Sequence, residues 1–303
     1  METIELDRIS RTDTRCCISY PVEDPLLFAS VGTFGVRAPL LLLDTAPYTV
    51  VAGFKRLEVA HRLGLPAVPC CVCRMNEKDA LLTAINDNIK RPLNIVERAL
   101  CLYKMGRVGC TQDEIHGMMK LFGYEPHDKI ARHLRELARA DDETKQFMIR
   151  HGANMTLVEL VFAFDNADRL RVMALLAEMR PTFSRLRELL QLLLLLKVKE
   201  GGLPWEELEA AADADQLKAS LKKRTHPMLS TLERRLKELR AGATLPPQIT
   251  LNVDPFFERE SLDIVIRAKR VRDVEEAVLA LDRLVKDGCI REILELTDGT
   301  YRN

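Results

Sequence analysis

A glycine followed closely by two cations at the mouth of a helix is suited to holding phosphate, and Gly53-Phe54-Lys55-Arg56 has that order. The apolar run YTVVA leads into Gly53 and the amphipathic stretch FKRLEVAHRLG follows it, so backbone amides and a positive helix end would meet Lys55 and Arg56. An arginine there can grip two phosphoryl oxygens at once. The competing reading is a solvated first helical turn. No GxGxxG or GxxxxGK[ST] run is present to support an ordinary dinucleotide or P-loop site.

A second constellation lies in DNIKRPLNIVERA. Asp87, Asn88 and Arg91 end one expected helix, and Asn94 and Glu97 begin the next. Asp87 or Glu97 could bind magnesium through oxygen, Asn88 could orient a phosphate or the ion, and Arg91 could neutralise charge. Equally consistent is a capping network in which Arg91 pairs with Glu97. A third set is Lys129, Arg132, His133, Arg135 and Arg139 within HDKIARHLRELARA. Residues 132 and 135, and 135 and 139, are spaced to share a helix face that could meet phosphates and base edges in a major groove. Asp128 and Glu136 dilute that field, and a plain solvent face is the alternative. Cys70, Cys71 and Cys73 fall on an expected strand, with Cys70 facing away from the other two. No CxxC pair or Cys/His set completes a zinc site, so the eight cysteines are expected to be reduced and mostly buried.

The elements that must position these groups follow from the pattern. Residues 1–92 alternate strand and helix, with extended TIELDRI, helical PLLFASVGTFG, strands LLLLD, YTVVAG and AVPCCVCR, and helices after Gly53 and over EKDALLTAINDN. A small sheet covered by helices is predicted. Residues 93–195 read as helical. Asn94 or Pro92 starts IVERALCLYKMG, Gly106 or Gly109 ends it, and Thr111 with Glu114 forms a capping box ahead of IHGMMKLFG. Two short helices about a glycine turn suggest a helix-turn-helix. Residues 196–244 form a helical, basic joint: from 218 to 240 there are eight Lys/Arg against two Glu, a local net charge of +6. Residues 245–303 predict two strands, PPQITLNV and SLDIVIRAK, and one long helix with Val274, Val278, Leu281 and Val285 on its apolar face. So small a unit has little core of its own and is expected to dimerise.

Across 303 residues, 45 Lys+Arg balance 45 Asp+Glu, and 47% are hydrophobic. That composition excludes a collagen, a disordered tail or a disulfide-stapled miniprotein. The balance removes the bulk electrostatic case for nucleic acid but not a local one. The longest apolar runs, such as 192–196, stop far short of the ~20 residues needed to span a bilayer. The acidic start METIELD opens no signal peptide, and a soluble cytoplasmic chain without membrane partners is expected.

The order of FASVGTFGVRAPLLLL, YTVVAGFKRLEVAHRLGLPAVPCCVC, NDNIKRPLNIVERALCLY and GCTQDEIHGMMKLFG resembles the ParB/KorB/Noc-like family of DNA-partition and nucleoid-organising proteins over roughly residues 5–190. The resemblance implies an α/β ParB/sulfiredoxin-like N-terminal domain that binds CTP and Mg2+. It also implies an all-helical middle domain carrying the helix-turn-helix; a small α+β C-terminal domain follows. Gly53 and Arg56 correspond to the ends of the family's GERR stretch, and Asn88 and Arg91 to the Asn and Arg of ENxxR. Arg15 in TDTRCC resembles the arginine of the first nucleotide motif, and Gly35 begins a GxxxP turn ending at Pro39. Gly109, Thr111, Gln112, Glu114 and Ile115 resemble the GxTQxExI pattern that precedes the recognition helix.

Departures accompany these matches. Phe54 replaces the Glu of GERR, Lys55 its first Arg, and Asp87 the Glu of ENxxR, while YEPHDKI replaces a Ser-rich turn. These are compatible with CTP binding and with hydrolysis that is weak, absent or changed in nucleotide preference, and they predict a different operator. The function implied is a nucleoid-associated, homodimeric clamp on double-stranded DNA, controlled by CTP and Mg2+, with a partition ATPase as partner where one exists. Two alternatives stand beside it: a nucleotide-independent transcription or plasmid regulator, and a nucleotide-dependent small-molecule kinase-like enzyme of the same fold.

Overall fold

Four short apolar strands build the sheet that carries the Gly53 turn. In the computed structural model, which describes residues 1–243, 245–254, 257 and 259–297, they are β1 (Glu2–Glu5), β2 (Leu40–Leu43), β3 (Thr49–Ala52) and β4 (Ala67–Cys73). Their order is β1-β4-β2-β3, with β2 and β4 parallel and the other two pairings antiparallel. Alternation divides the side chains. Leu40, Leu42, Val50, Val68 and Cys70 pack with Leu57 and Ala60 of α2 (Phe54–Arg62) on one face. Leu43 and Val51 pack with Ala80 and Ala84 of α3 (Glu77–Asn88) on the other. Covered on both sides, β2 needs no polar alternation, which is why it reads LLLL. A further helix, α1 (Pro25–Phe34), precedes β2. The extended segment expected over TIELDRI is shorter than its pattern: pairing with β4 ends at Glu5, and 6–8 form a single 3-10 turn that buries Leu6.

The chain divides into two units, Met1–Leu190 and Gln191–Asn303. The first continues as α4 (Ile95–Arg107), α5 (Gln112–Leu121), α6 (Asp128–Arg139), α7 (Asp142–Arg150), α8 (Met155–Phe162) and α9 (Asn166–Met179); α10 (Phe183–Glu200) runs across the division. The expected capping box forms at Thr111 with Glu114, and a second one forms at Asn94 with Glu97. Helix α4 passes through Gly106 and stops at Arg107, with Gly109 at positive φ beyond it.

In the second unit, α11 (Trp205–Glu209), α12 (Ala214–Thr225) and α13 (Pro227–Gly242) precede the hairpin pair β5 (Ile249–Val253) and β6 (Leu262–Ile266), then α14 (Val271–Lys286) and α15 (Cys289–Thr297). Here one expectation is corrected. Helix α14 turns Ala277, Ala280 and Leu284 to the core rather than the valine stripe. Val278 is 56% and Val285 63% exposed, Val274 is also exposed, and Leu281 is half-buried. Ala277, Ala280 and Leu284 share their core cluster with Ile249 and Leu251 of β5 and Ile293 and Leu296 of α15, and the larger stripe is left over.

All eight cysteines are free; Cys16, Cys17, Cys70 and Cys101 are buried and the others half-buried. Burial pushes the Cys70 thiol up to about 11, so it is a packing group and not a nucleophile. Among the described residues no helix is long and apolar enough to cross a membrane.

Candidate functional site

Strand β3 delivers the chain to Gly53, whose φ of 108° opens α2. A Cβ there would lie 3.0 Å from Leu40 Cγ and 3.3 Å from a terminal nitrogen of Arg56, so only glycine lets the backbone turn against β2 and the guanidinium together. Arg56 folds back across this turn, and its Nη1 donates to the carbonyls of Ala38 (2.8 Å) and Pro39 (2.6 Å). It thereby ties the turn that begins at Gly35 (φ 70°) to the start of α2. Burial pulls the guanidinium down from its ordinary value and the Asp87 charge opposes this; Arg56 remains a cation. Lys55 pairs with Asp24 at 3.3 Å, and Asp24 caps α1 by accepting from the Leu27 amide at 3.1 Å. That amide, then Lys55, holds the Asp24 carboxyl below its usual range. Phe54 packs against both core clusters of the sheet, so the position that carries Glu in the resembling motif is here an apolar wedge.

The end of α3 and the start of α4 form a polar chain. Asn88 Oδ1 accepts from Ser19 (3.4 Å) and Arg91 (3.1 Å), while its Nδ2 donates to the Ala84 carbonyl (2.9 Å). Arg91 donates to both oxygens of Glu97, at 2.5 and 2.8 Å. Those oxygens also accept from the Tyr20 amide (3.2 Å) and the Asn94 amide (3.1 Å). Asn94 in turn donates to the Tyr20 carbonyl at 2.7 Å, and the Tyr20 hydroxyl reaches Asp142 on α7 at 2.5 Å. The capping network is therefore what forms. Glu97, 1% exposed, faces four donors, and a metal ion could reach it only by displacing Arg91. Asp87 is more open and pairs with Lys90 at 3.3 Å.

The start of α2 and the 87–91 segment act on each other through charge: Lys55 pairs with Asp24, whose charge also reaches Arg91, and the charge of Asp87 reaches Arg56. Arg15 is not part of that cluster by contact. It bonds Asp13 at 2.9 Å beside Thr49, at the other end of β3 from Gly53. Burial pushes the Asp13 carboxyl up, but hydrogen bonds from Arg15 and Thr49 outweigh it and hold it low. Sequence reasoning missed Ser19, Tyr20 and Asp24. Only Asp24 left a signal, an N-cap residue directly before Pro25.

On α6, Arg132, Arg135 and Arg139 are exposed on the expected face. His133 is corrected: it is 9% exposed, turned inward beside Leu134 and Leu137, with Nδ1 lacking a partner. A residue adjacent to Arg132 is rotated about 100° from it, so the two cannot share a groove-facing stripe. Lys129 is drawn to Glu159 of α8 at 2.9 Å. Thr111 spends its hydroxyl capping α5, and Gln112 lies exposed within 2.9 Å of His116.

The ParB N-terminal domain family matches residues 4–89. The "Probable chromosome-partitioning protein ParB" of Vibrio cholerae is 28% identical over 142 residues, 44% of this chain and 47% of that one. The "Probable plasmid-partitioning protein ParB" of Thermus thermophilus is 34% identical over 98 residues, 31% of this chain and 33% of that one. The matched segments thus span less than half the length of these relatives. A C-terminally truncated ParB from Caulobacter crescentus, complexed to the centromeric parS site, aligns over 63% of this chain and 99% of that one at 20% identity with a TM-score of 0.33. The segment 4–89, which holds the four-stranded sheet and the Gly53 turn, is the part of the chain that matches the ParB N-terminal domain family.

Proposed function

We propose that the chain is a nucleotide-controlled DNA-partition switch, a homodimer that closes on double-stranded DNA when its N-terminal domains bind CTP and magnesium. The observation that carries this reading is the convergence at the start of α2. A Cβ-free backbone turn, Lys55 and Arg56 lie beside the segment bearing Asp87, Asn88 and Arg91, inside a ParB N-terminal domain. That donor set fits a triphosphate: amides and a helix end for oxygens, and guanidinium groups for charge. Asp87 is a carboxylate open enough to meet a cation and would hold Mg2+, which would supply charge neutralisation. The exposed Arg132, Arg135 and Arg139 face of α6 is the surface proposed to read DNA, following α5 in a helix-turn-helix.

Isothermal titration of the full chain with CTP plus magnesium, with ATP and GTP as comparators, tests the nucleotide arm. Selective CTP binding that Arg56→Ala abolishes is expected, with thermal melting confirming that the variant still folds. No CTP binding by the intact chain would overturn it. A second reading has its own support, because Phe54 is packed into the sheet's core and Lys55, Arg91 and Arg15 each hold an internal carboxylate. It is a nucleotide-independent DNA-binding regulator, and the same titration separates the two.

The second copy is proposed to cover the valine stripe of α14, where Val274, Val278 and Val285 form an apolar surface the unit leaves open. Light scattering of the intact chain is expected to give twice the monomer mass, and Val278→Glu with Val285→Glu to return it to monomer. An unchanged dimer in that variant would place the interface elsewhere.

A further inference from the structure

The α3–α4 joint leaves little of the Arg91 guanidinium to spare. Of the five N–H groups an arginine offers, Glu97 takes two, Asn88 one at 3.1 Å and the Pro92 carbonyl one at 3.4 Å, so among the described residues only Nε has no acceptor. Glu97 sits on Arg91 as a phosphoryl group would, two oxygens against two terminal nitrogens. A phosphate that is to be gripped in the same way must displace that carboxylate. Glu97 is 1% exposed, and a buried carboxylate stripped of its cation is costly, so it cannot stay in place once Arg91 turns away.

Moving Glu97 also moves Tyr20. The Tyr20 amide donates to Glu97 at 3.2 Å, and its carbonyl accepts at 2.7 Å from Asn94, the other half of the capping box. The Tyr20 hydroxyl reaches across to α7 and donates to Asp142 Oδ1 at 2.5 Å, while Gln146 holds the second oxygen of that carboxylate at 3.0 Å. Burial, and then the Asp142 carboxylate, push the Tyr20 phenol above its ordinary value, which keeps its proton in this bond. Tyr20 is thus held at its backbone by the joint and at its side-chain tip by the first turn of α7. The segment leading to it is tethered to α4 at its other end as well, where Lys104 donates to the Thr14 carbonyl. Release at Tyr20 frees one end of 14–20 and leaves the other fixed.

We infer that Glu97 and Tyr20 form a lock on the candidate nucleotide site: the carboxylate competes with phosphate for Arg91, and the Tyr20–Asp142 bond stabilises the locked arrangement, so nucleotide binding and this bond oppose one another. The inference rests on the nucleotide reading above and adds a regulation of that site. The coupling is reciprocal: whatever loosens the bond tightens nucleotide binding, and bound nucleotide loosens the bond by the same factor.

The test is calorimetric titration of the full chain and its variants with CTP plus magnesium. Tyr20→Phe keeps the ring and removes only the hydroxyl, and it should bind about 5–20-fold more tightly than the parent, within the range that one hydrogen bond to a charged group allows. Asp142→Asn should shift affinity in the same direction, and Glu143→Gln, at the neighbouring exposed carboxylate, should leave it at the parent value. In the parent, CTP should speed amide exchange at Tyr20 and in the first turn of α4, a response that a purely structural contact does not give. Urea unfolding of the chain without CTP supplies a second arm. There Tyr20→Phe and Glu97→Gln together should destabilise by less than the sum of their separate effects, because both open one network. Unchanged CTP affinity in Tyr20→Phe, with binding by the parent intact, would overturn the lock and leave the proposed function standing. Strictly additive losses in urea would overturn the lock whether or not CTP binds. Absence of CTP binding in the parent and in Tyr20→Phe alike would count against the proposed function and the lock together.

Discussion

Glu97→Ala is expected to destabilise the first unit by about 3 kcal/mol, near the lower end of what breaking a buried ion pair costs. Four donors converge on this carboxylate: two from Arg91 and the amides of Tyr20 and Asn94. The side chain of Arg91 is 38% exposed and can regain water, which trims the penalty. The two backbone amides cannot, and the box that starts α4 is lost with them. Amide exchange in the first turn of α4 should then accelerate by about 100-fold, since each 1.4 kcal/mol is a factor of ten. Glu97→Gln, which keeps the shape and half of the acceptors, should fall between. If Glu97→Ala shifts exchange by less than about tenfold, the carboxylate is not the anchor of the α3–α4 joint.

Gly53→Ala should remove nucleotide binding and also weaken the sheet, by about 3 kcal/mol. A φ of 108° costs a side-chain-bearing residue of the order of 1–3 kcal/mol. The new Cβ also meets Leu40 Cγ at 3.0 Å; Leu40 is wholly buried on an inner strand, so overpacking adds roughly 1 kcal/mol or more. It stands 3.3 Å from the Arg56 guanidinium as well, which the Ala38 and Pro39 carbonyls hold in place. Thermal unfolding with CTP titration of the same sample measures both losses. Gly106→Ala is the control: it is exposed, in the last turn of α4, and has nothing within 4 Å of the added carbon, so neutrality or a gain of at most about 0.5 kcal/mol is expected. Equal melting and equal CTP affinity in Gly53→Ala and the parent would remove Gly53 from the site.

Much of the scaffold was legible because its signals are local. Thr111 with Glu114 marks a helix start within four residues and forms the box as read, and of Pro92 and Asn94 it is Asn94 that caps α4. Alternation in β4 placed Cys70 opposite Cys73, and the two core clusters divide there. Where a residue had two possible partners, the pattern stopped deciding. Glu97 could face a metal or Arg91, and the choice rests on Tyr20, which lies 77 positions away in the chain. His133 sits among arginines in sequence and among leucines in space. Helix α14 carries two apolar stripes, and periodicity picked the bulkier one.

The sequence by itself determined the strand and helix order of residues 4–89, the glycine at the turn into α2 and the cations beside it, because periodicity, caps and a positive-φ turn are properties of a few adjacent residues. Only the tertiary structure decided that Arg91 is bound to Glu97 and that the valines of α14 stay outside. Ion pairs and buried faces are competitions among groups distant in the chain, and packing chooses the winner through distance and desolvation that no local pattern contains.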